Sequence, residues 1–441
     1  MNERQLALSV IEKTLERGGQ SHRLLQECFR AHPTLEPRNR GFITQLVHGT
    51  LSCALLLDHY LAQVSSLPPE KMKPFIRHLL RMSLYQLLFM DRVPANAVCD
   101  EAVKLTRRRL GPGLTGFVNA LLRTAAQKKD WQAPEGAAAL SLPEPLYDVL
   151  IQCYGPEKTE QIGRAYLEAP ALWGRMNLSR CDASRILSEL EAGGWQGIPS
   201  PHFPQALRLE RKKEAKRSLP LEDLALIQTG LLQLQDISSQ LAVLAAEPGP
   251  GMQVLDLCAA PGGKSLHAAD LMKNQGRVLA CDISEAKRKM IEENTARSGF
   301  SCVESALGDA LIYDPGKEAA FDLVLADLPC SGLGVAARKP EIKYRAGSKQ
   351  IQELAALQRR MLQNAIRYVK PGGRLLFSTC TITREENQEN ALWLEQQGLK
   401  PLALSLRLSE EIKRDTPSHM LQLLPGDLGG DGFFISLFVR G

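Results

Sequence analysis

The chain has 441 residues, of which 44 % are hydrophobic, so two or three domains that each bury a core are expected. No apolar run reaches the roughly 20 residues that a membrane span requires, and the charged start lacks the apolar segment of a secretory signal. We therefore expect a cytoplasmic protein without membrane spans. The ten cysteines show neither CxxC nor the Cys and His spacing of zinc sites, which predicts reduced thiols and no bound metal.

The first 130 residues are basic and helical in pattern. They contain 19 Lys and Arg against 11 Asp and Glu, whereas the rest of the chain contains 35 against 38. Mostly apolar residues recur at helical spacing, and Gly18 and Gly19 would end the first helix. The recurring positions are Leu8, Ile11, Leu15, Ile43, Leu46, Val47, Thr50, Phe75, Leu79, Leu80, Phe117, Leu121 and Leu122. A compact helical bundle is the simplest fold, and its charge favours either a nucleic-acid partner or solvated basic faces.

The middle of the chain has a less regular pattern. The stretch from Ala125 to Pro145 has the Pro, Gly and polar content of a linker. Beyond it we predict a helix over 181–193 and a strand over 205–209. The basic run LERKKEAKR (209–217) is consistent with an RNA contact or with an exposed loop, and both interpretations stay open.

Strands and helices alternate from about residue 250 onward. Short apolar strands are predicted at Gln253–Cys258, Arg277–Cys281, Phe321–Ala326 and Arg374–Ser378, with a final strand at Phe433–Val439. Helical patterns lie between them. This alternation is typical of a doubly wound α/β sheet.

The first of these strands runs into the turn CAAPGGK (258–264). In open α/β sheets ligands bind at the carboxyl ends of strands, and Gly262 and Gly263 would let the backbone approach a ligand closely. The following helix N-terminus favours a carboxylate or phosphate. The turn is neither GxGxxG nor a Walker A loop, because Ala259 stands where that loop requires Gly. A plain strand–turn–helix corner is the alternative.

Two acidic residues follow strand-like runs: Asp282 comes at the end of the strand Arg277–Cys281, and Asp309 follows a third strand-like run before Phe321. Asp282 is well placed to accept the ribose hydroxyls of a nucleoside cofactor, although it could also cap the next helix. Asp309, in Gly308-Asp309-Ala310, could accept the exocyclic amine of an adenine. Both residues are therefore candidate cofactor ligands.

Two cysteines follow the later strands. DLPCSG (327–332) begins where the strand Phe321–Ala326 ends, and STCT (378–381) ends the strand from Arg374. Cys330 and Cys380 would therefore face one cleft, with Asp327 three residues before Cys330. A thiol needs a base or a lowered pKa to act as a nucleophile. The alternative to a catalytic pair is that Cys330 and Cys380 are two ordinary buried cysteines.

Several motifs together resemble a known family. They are CAAPGGK (258–264), DLPCSG (327–332), ARKPEIKY (337–344), STCT…EEN (378–387) and DGFF (431–434). They resemble the RsmB (Fmu/Sun) family of bacterial 16S ribosomal RNA cytosine-5 methyltransferases. In addition LVHGTL (46–51), VPANAVCDEAVKL (93–105) and FVNALLR (117–123) resemble NusB, an RNA-binding helical bundle.

The resemblance covers essentially the whole chain and implies three domains. These are an all-α NusB-like RNA-binding bundle (1–140), a small α+β RNA-binding domain (141–235) and an α/β Rossmann-like methyltransferase domain (236–441). It implies S-adenosylmethionine as cofactor and 16S ribosomal RNA, naked or in an early assembly particle, as partner. The implied target is cytosine 967. We further expect a monomer that uses neither a metal nor a membrane.

The resemblance also implies roles for individual residues. Cys380 would add to carbon 6 of the cytosine, Asp327 would hold the base edge near N3, and Cys330 would assist proton removal and release of Cys380. Lys264 would orient either the base or the cofactor carboxylate. The predicted cofactor-binding residues are Cys258, Ala259, Ala260, Pro261, Gly262, Gly263, Lys264, Asp282, Asp309 and Asp327. The target base must be unstacked, and Arg107, Arg108 and Arg109 are candidate phosphate contacts.

Three other functions are weighed against this one. A DNA cytosine-5 methyltransferase would use the cysteine of its Pro-Cys motif as nucleophile and usually carries Gln after it, whereas Ser331 follows here and Cys380 supplies a second thiol. An RNA-binding assembly factor with an inert catalytic domain would not need Asp282, Asp327 and both cysteines. A transfer RNA substrate would use the same chemistry, and only the NusB-like front favours ribosomal RNA.

Overall fold

The computed structural model describes residues 2–212, 219–406, 408, 412 and 416–441. The chain forms two compact units. The first consists of Met1–Ala169 together with Ala336–Gly347, and the second of Pro170–Val335 together with Ser348–Gly441. The chain therefore leaves the second unit after Val335, adds a short segment to the first unit, and returns at Ser348.

The first unit is built from nine helices in the part of the chain that is described. They are α1 Glu3–Arg17, α2 Ser21–Ala31, α3 Pro37–Ser52, α4 Ala54–Ala62, α5 Pro74–Phe89, α6 Ala95–Leu110, α7 Thr115–Gln127, α8 Gly136–Ala139 and α9 Glu144–Leu167, which is interrupted at Gly155. No single helix among the described residues has the length and apolarity to cross a membrane. The bent pair α3 and α4, at 73°, meets the length and composition test only jointly.

The predicted helical pattern in the first unit is confirmed. Ile11, Ile43 and Leu46 are fully buried in one core, because residues three, four and seven apart share a helix face. α1 ends at Gly18, whose φ of 67° lets its N–H reach the carbonyl of Lys13. The predicted linker is too long at both ends, since α7 continues to Gln127 and α9 begins at Glu144.

The segment 336–347 packs against α2 and α3 of the first unit. Glu341 accepts hydrogen bonds from the backbone N–H (2.9 Å) and the hydroxyl (2.8 Å) of Ser21, the first residue of α2. Lys343 Nζ donates to the carbonyl of Ser52 at 2.7 Å, and the Tyr344 hydroxyl donates to that of Leu51 at 2.5 Å. The Glu341 carboxylate and the Lys343 ammonium thus satisfy backbone groups that helix ends leave open.

The second unit contains a small antiparallel sheet in the order β2–β3–β1–β4. Its elements are β1 Leu172–Met176, α10 Ala183–Ala192, β2 Trp195–Pro199, β3 Ala206–Arg211, α11 Ala225–Gln228 and β4 Leu232–Leu234. The predicted helix over 181–193 and strand over 205–209 are confirmed as α10 and β3. Of the basic run 209–217, Lys212 pairs with Glu191, and residues 213–217 lie outside the described residues.

The larger sheet has the order β10–β12–β9–β8–β5–β6–β7, with β11 paired to β12. Its strands are β5 Gln253–Asp256, β6 Arg277–Asp282, β7 Val303–Leu307, β8 Phe321–Asp327, β9 Val369–Thr379, β10 Leu399–Pro401, β11 Met420–Leu423 and β12 Phe433–Arg440. Its helices are α12 Ile237–Ala246, α13 Gly263–Leu271, α14 Glu285–Ser298, α15 Ser348–Tyr368 and α16 Gln388–Gln396. β5 to β9 pair in parallel, which confirms the predicted doubly wound sheet.

A buried ion pair connects the small sheet to α13, which packs on the larger sheet of the second unit. Arg175 on β1 contacts Asp270 on α13, with Nη1 and Oδ2 3.3 Å apart, and both side chains are almost fully buried. Gln233 and Gln235 accept further hydrogen bonds from the same guanidinium. Burial lowers the pKa of Arg175 to about 10, against the opposing charge of Asp270. The interface is therefore specified by polar contacts as well as by apolar packing.

Candidate active site

The turn after β5 forms one wall of a cavity. Gly262 has a φ of 103°, which favours glycine, and its N–H closes a tight turn onto the carbonyl of Ala259 at 2.6 Å. α13 then begins at Gly263 and points its N-terminus toward the turn. The cavity has a volume of about 300 Å³. The predicted residues that line it are Cys258, Ala259, Ala260, Pro261, Gly263, Lys264, Asp327 and Cys380.

Asp282 supports this turn from the end of β6. Its carboxylate accepts hydrogen bonds from the backbone N–H groups of Ala260 (3.1 Å) and Ile283 (2.8 Å), and Lys287 pairs with it at 3.0 Å. Ser284, not Asp282, caps α14, by accepting from the N–H of Lys287. The alternative role of Asp282 as a helix cap is therefore wrong.

Asp309 lies in a neighbouring cavity of about 300 Å³ and not in the lining of the first. One carboxylate oxygen accepts from the backbone N–H of Leu311 at 2.9 Å. Leu257, directly before Cys258, shares the wall of this second cavity. The two cavities thus flank the carboxyl end of β5.

The two cysteines meet at the ends of neighbouring parallel strands. Asp327 at the end of β8 is paired in register with Ser378 on β9, so the residues that follow emerge side by side. The sulfur atoms of Cys330 and Cys380 lie 3.4 Å apart, within hydrogen-bond distance for thiols. The two thiols are therefore in contact, and Cys380 lines the cavity described above.

The environment of Cys330 keeps its thiol protonated. The hydrogen bond with Cys380, burial, and the negative charges of Cys380, Glu386 and Asp327 raise the pKa of Cys330 well above its usual value. Either sulfur can be the donor in the contact between Cys330 and Cys380.

Lys264 and Asp327 form an ion pair in the same cavity, 2.7 Å apart. Ser378 Oγ donates to the other carboxylate oxygen of Asp327 at 2.9 Å. Burial alone would lower the pKa of Lys264, but the charges of Asp327, Asp256 and Cys380 outweigh it and raise that pKa. The ammonium therefore stays charged, and its field favours negative charge on the Cys380 sulfur.

Two acidic residues of this site were not singled out by the sequence. Asp256 lines the first cavity, is fully buried and accepts a 2.6 Å hydrogen bond from Ser265 Oγ. Burial raises the pKa of Asp256 to about 6, although Ser265 and Lys264 oppose this effect. Glu386 is also fully buried and holds Ser331. For Asp256 the available signal was an acid at the end of an otherwise apolar strand, and for Glu386 it was a position in the EEN part of the motif STCT…EEN.

The three arginines predicted to contact phosphate lie in the last turn of α6. Arg107, Arg108 and Arg109 are exposed there, where positive charge complements the helix dipole. Arg108 and Arg109 also line a groove of about 440 Å³ that contains both Lys13 and Glu12. The groove carries charge of both signs, so helix stabilisation and phosphate binding are both consistent with this position.

Three family models match successive parts of the chain. The NusB family matches residues 1–127, a ferredoxin-like domain of RsmF/B-like methyltransferases matches 142–216, and the 16S rRNA methyltransferase RsmB/F family matches 243–439. The three matches follow the order of the helical bundle, the small sheet and the large sheet.

Relatives match along nearly the full length. A Bacillus subtilis protein named a probable ribosomal RNA small subunit methyltransferase B is 35% identical, over 98% of this chain and 97% of the relative. The ribosomal RNA small subunit methyltransferase B of Erwinia tasmaniensis is 31% identical, over 100% and 99%. The crystal structure of a methyltransferase homolog protein from Pyrococcus horikoshii aligns with a TM-score of 0.58 at 26% identity, over 69% of this chain and 98% of that chain.

The doubly wound sheet, the small-residue turn after its first strand and the acid after its second strand define an S-adenosylmethionine-dependent methyltransferase. Within that class, the chain belongs to the family of ribosomal RNA small subunit methyltransferases B.

Proposed function

We propose that the protein methylates carbon 5 of a cytosine in 16S ribosomal RNA, by resemblance cytosine 967, through a covalent bond between Cys380 and the base. The observation that carries this proposal is the 3.4 Å contact between Cys330 and Cys380 beside the ion pair of Lys264 and Asp327. One thiol can then attack while the other serves release. Lys264 and Asp327 would provide an acid and a base beside the cytosine ring.

The two cavities, the turn 258–264 and Asp282, which supports that turn, fit the proposed binding of the cofactor. The turn 258–264 would approach the methionine part closely, since Gly262 and Gly263 present backbone without side chains. Asp282 would face the ribose and Asp309 the adenine. When bound, S-adenosylmethionine supplies an electrophilic methyl group. The nucleophile and the groups that give and take protons would be side chains of this protein.

The proposed reaction begins with the Cys380 thiolate, which forms a bond to carbon 6 and moves the electron pair of the double bond onto carbon 5. Carbon 5 takes the methyl group from the sulfonium sulfur, whose carbon–sulfur bond breaks. Cys330 gives its proton to the Cys380 sulfur as the bond to carbon 6 breaks, and the proton leaving carbon 5 restores Cys330. The cycle ends with Cys330 again a thiol and Cys380 protonated, and Cys380 gives that one proton to solvent before the next turnover, which is the proton that replacement of the carbon 5 hydrogen releases.

Asp327 and Lys264 would act on the base, in addition to their electrostatic effects on the two thiols. Carboxylate oxygens of Asp327 lie at the cavity wall, where they would hold the N3 edge of the cytosine and share a proton with it. Lys264 already donates to Asp327, and it would keep that carboxylate oriented or contact the cofactor carboxylate. Removing either group would leave the developing negative charge unsupported.

The RNA partner is inferred from the relatives' names and from the basic front of the chain. Unstacking the target cytosine costs least in a single-stranded or loop segment. Arg107, Arg108 and Arg109 are proposed to contact phosphates, which makes binding salt-dependent. We propose that the protein acts in the cytoplasm as a monomer on naked or partly assembled 16S RNA, without a metal, and that its domains span 1–140, 141–235 and 236–441.

The two cysteine roles are tested by trapping. Cys330→Ala, incubated with S-adenosylmethionine and unmodified 16S RNA, should give a covalent protein–RNA band on a denaturing gel. The double variant with Cys380→Ala should give none. Sequencing the attached RNA identifies the cytosine. If no band forms while the wild type methylates the same RNA, the assignment of roles to the two cysteines is wrong.

A further inference from the structure

Glu386 is a buried carboxylate with a complete set of donors. It lies between β9 and α16 and is 0% exposed. Oε1 accepts from the backbone N–H of Ser331 at 2.8 Å and from Gln358 Nε2 at 3.1 Å. Oε2 accepts from the hydroxyls of Ser331 (2.5 Å) and Thr383 (2.7 Å). A buried charge with four donors is stable, whereas the same charge without them would be costly.

Those donors belong to the neighbours of both cysteines. Ser331 directly follows Cys330, and its hydroxyl lies 2.6 Å from that of Thr381, which directly follows Cys380. Since Ser331 has one hydroxyl proton and gives it to Glu386, Thr381 must donate to Ser331. A chain of hydrogen bonds therefore runs from Thr381 through Ser331 to Glu386 and joins the two cysteine-bearing turns.

A second arm of the network reaches the other side of Cys330. Gln358 on α15 donates to the carbonyl of Pro329 at 2.9 Å as well as to Glu386. Gln358 is in turn oriented by Asn390, whose Nδ2 donates to its Oε1 at 2.8 Å. The residues on both sides of Cys330 are thus held to one carboxylate, directly or through Gln358.

The charge of Glu386 also acts on the sulfur of Cys330. It is one of the negative groups that raise the pKa of Cys330, along with Cys380 and Asp327, while Lys264 pairs with Asp327 on the opposite side. The network around Glu386 therefore has two effects. It holds the turns that carry Cys330 and Cys380 close together, and its negative charge acts on the Cys330 thiol.

We propose that Glu386 is the positioning residue of the two-cysteine site, which holds Cys330 against Cys380 and keeps the proton on Cys330. This inference rests on the proposed function, because a protonated Cys330 matters only if it serves to release Cys380. It assigns no contact between Glu386 and the RNA or the cofactor.

The test compares Glu386→Gln, which keeps the size and removes the charge, with Glu386→Asp, which keeps the charge. The intact protein, without RNA, is alkylated over a range of pH and digested with trypsin. Cys330 and Cys380 fall in separate peptides, 318–338 and 375–384, each with a single cysteine. Gln240→Ala serves as the control, since Gln240 is equally buried in the same unit and bonds to the carbonyls of Gly174 and Gln235.

Glu386→Gln should shift the alkylation of Cys330 to lower pH, whereas Glu386→Asp and Gln240→Ala should leave its profile near that of the wild type. With 16S RNA, Glu386→Gln should accumulate the covalent band, as Cys330→Ala does. An unshifted Cys330 profile in Glu386→Gln, or an equal shift in Glu386→Asp, overturns the inference. So does the absence of the band in Glu386→Gln when Cys330→Ala gives one.

Ser331→Ala keeps the inference open to test if Glu386→Gln does not fold. It breaks the hydrogen-bond chain between the turns and leaves the charge in place, so the band should again accumulate. An unchanged amount of band in this variant overturns the positioning role. If Cys330→Ala itself gives no band, the proposed function is contradicted instead. The alkylation profiles, which need no RNA, then test the role of Glu386 independently.

Discussion

The backbone N–H of Gly334 donates to the carbonyl of Cys380 at 3.0 Å, and the space beside it has no room for a side chain. A Cβ added at Gly334 would lie 2.7 Å from that same oxygen and 1.9 Å from the carbonyl oxygen of Gly432. Both neighbours are backbone atoms, so the backbone at Gly432 and the turn that carries Cys380 would both have to move.

Gly334→Ala should therefore lower methyl transfer more than it lowers stability. Overpacking of this kind costs about 1–3 kcal/mol of unfolding free energy. A displacement of roughly 1 Å at a reacting group reduces the rate by about 100-fold. Gly116→Ala is the control, since a Cβ there meets nothing within 4 Å. Turnover and urea unfolding measure the two effects, and wild-type turnover in Gly334→Ala would contradict the close packing.

Removal of the ion pair between Lys264 and Asp327 should reduce the rate constant for methyl transfer. Asp327→Asn should lose about 100-fold or more, because the proton shared with the base is lost. Lys264→Met should lose a comparable factor. The double variant should lose less than the product of the two, because the residues act as a pair.

Single-turnover methylation measures these losses. The partly exposed pair Lys370 and Asp322, 2.8 Å apart on the same sheet, is the matched control, and Lys370→Ala should leave the rate unchanged. Strictly multiplicative losses in the double variant would show that Lys264 and Asp327 act independently.

Asp270→Ala should destabilise the second unit by about 3–5 kcal/mol, because Arg175 then keeps its charge in a buried place without its partner. The double variant Arg175→Met with Asp270→Leu should recover most of that loss, since it buries no charge. Denaturant unfolding gives both values. The exposed pair of Arg185 and Glu189 is the control, and an Asp270→Ala variant as stable as Glu189→Ala would refute the argument.

Lys343 should make stability depend on pH in a defined window. Burial lowers the pKa of Lys343 from 10.5 to about 7, so the folded protein loses this proton near pH 7 while the unfolded chain keeps it to about 10.5. The unfolded state then binds more protons across this interval, and the free energy of unfolding rises with pH there. This gain in the free energy of unfolding is lost as the pH falls through the pKa that Lys343 has in the folded protein.

The stability difference between the wild type and Lys343→Met should accordingly change by about 1–3 kcal/mol in favour of the wild type from pH 7 to pH 9. Chemical denaturation at the two pH values measures it. Lys71→Met, at an exposed position, should show no such change. A pH-independent difference for Lys343→Met would mean that Lys343 stays charged in the folded protein.

Local patterns predicted most of the elements of this fold. Spacing of three and four residues located the helices that bury Ile11 and Ile43, and apolar runs located β5, β6, β8 and β9. Strand ends were less accurate: β5 stops at Asp256, two residues earlier than predicted, and β9 begins at Val369, five residues earlier. Ends depend on hydrogen bonds to neighbouring strands, which a local pattern does not contain.

For the site, the sequence by itself determined which groups stand at strand ends. Cys330, Cys380 and Asp327 could be placed at one edge because parallel strands present their carboxyl ends together. It could not determine the 3.4 Å between the sulfur atoms or the donors of Glu386, since these depend on the register of β8 against β9 and on α15.

Only the tertiary structure decided where the segment 336–347 belongs. Its motif lies between strands of the large sheet, yet Glu341 bonds to Ser21, 320 positions away, and Lys343 to Ser52. Periodicity and turn residues act over a few positions and therefore determine helices, strands and their order. Buried ionisable groups such as Glu341, Lys343, Arg175 and Glu386 find partners only once those elements have packed, because a buried polar group must be satisfied by whatever group the packing brings near.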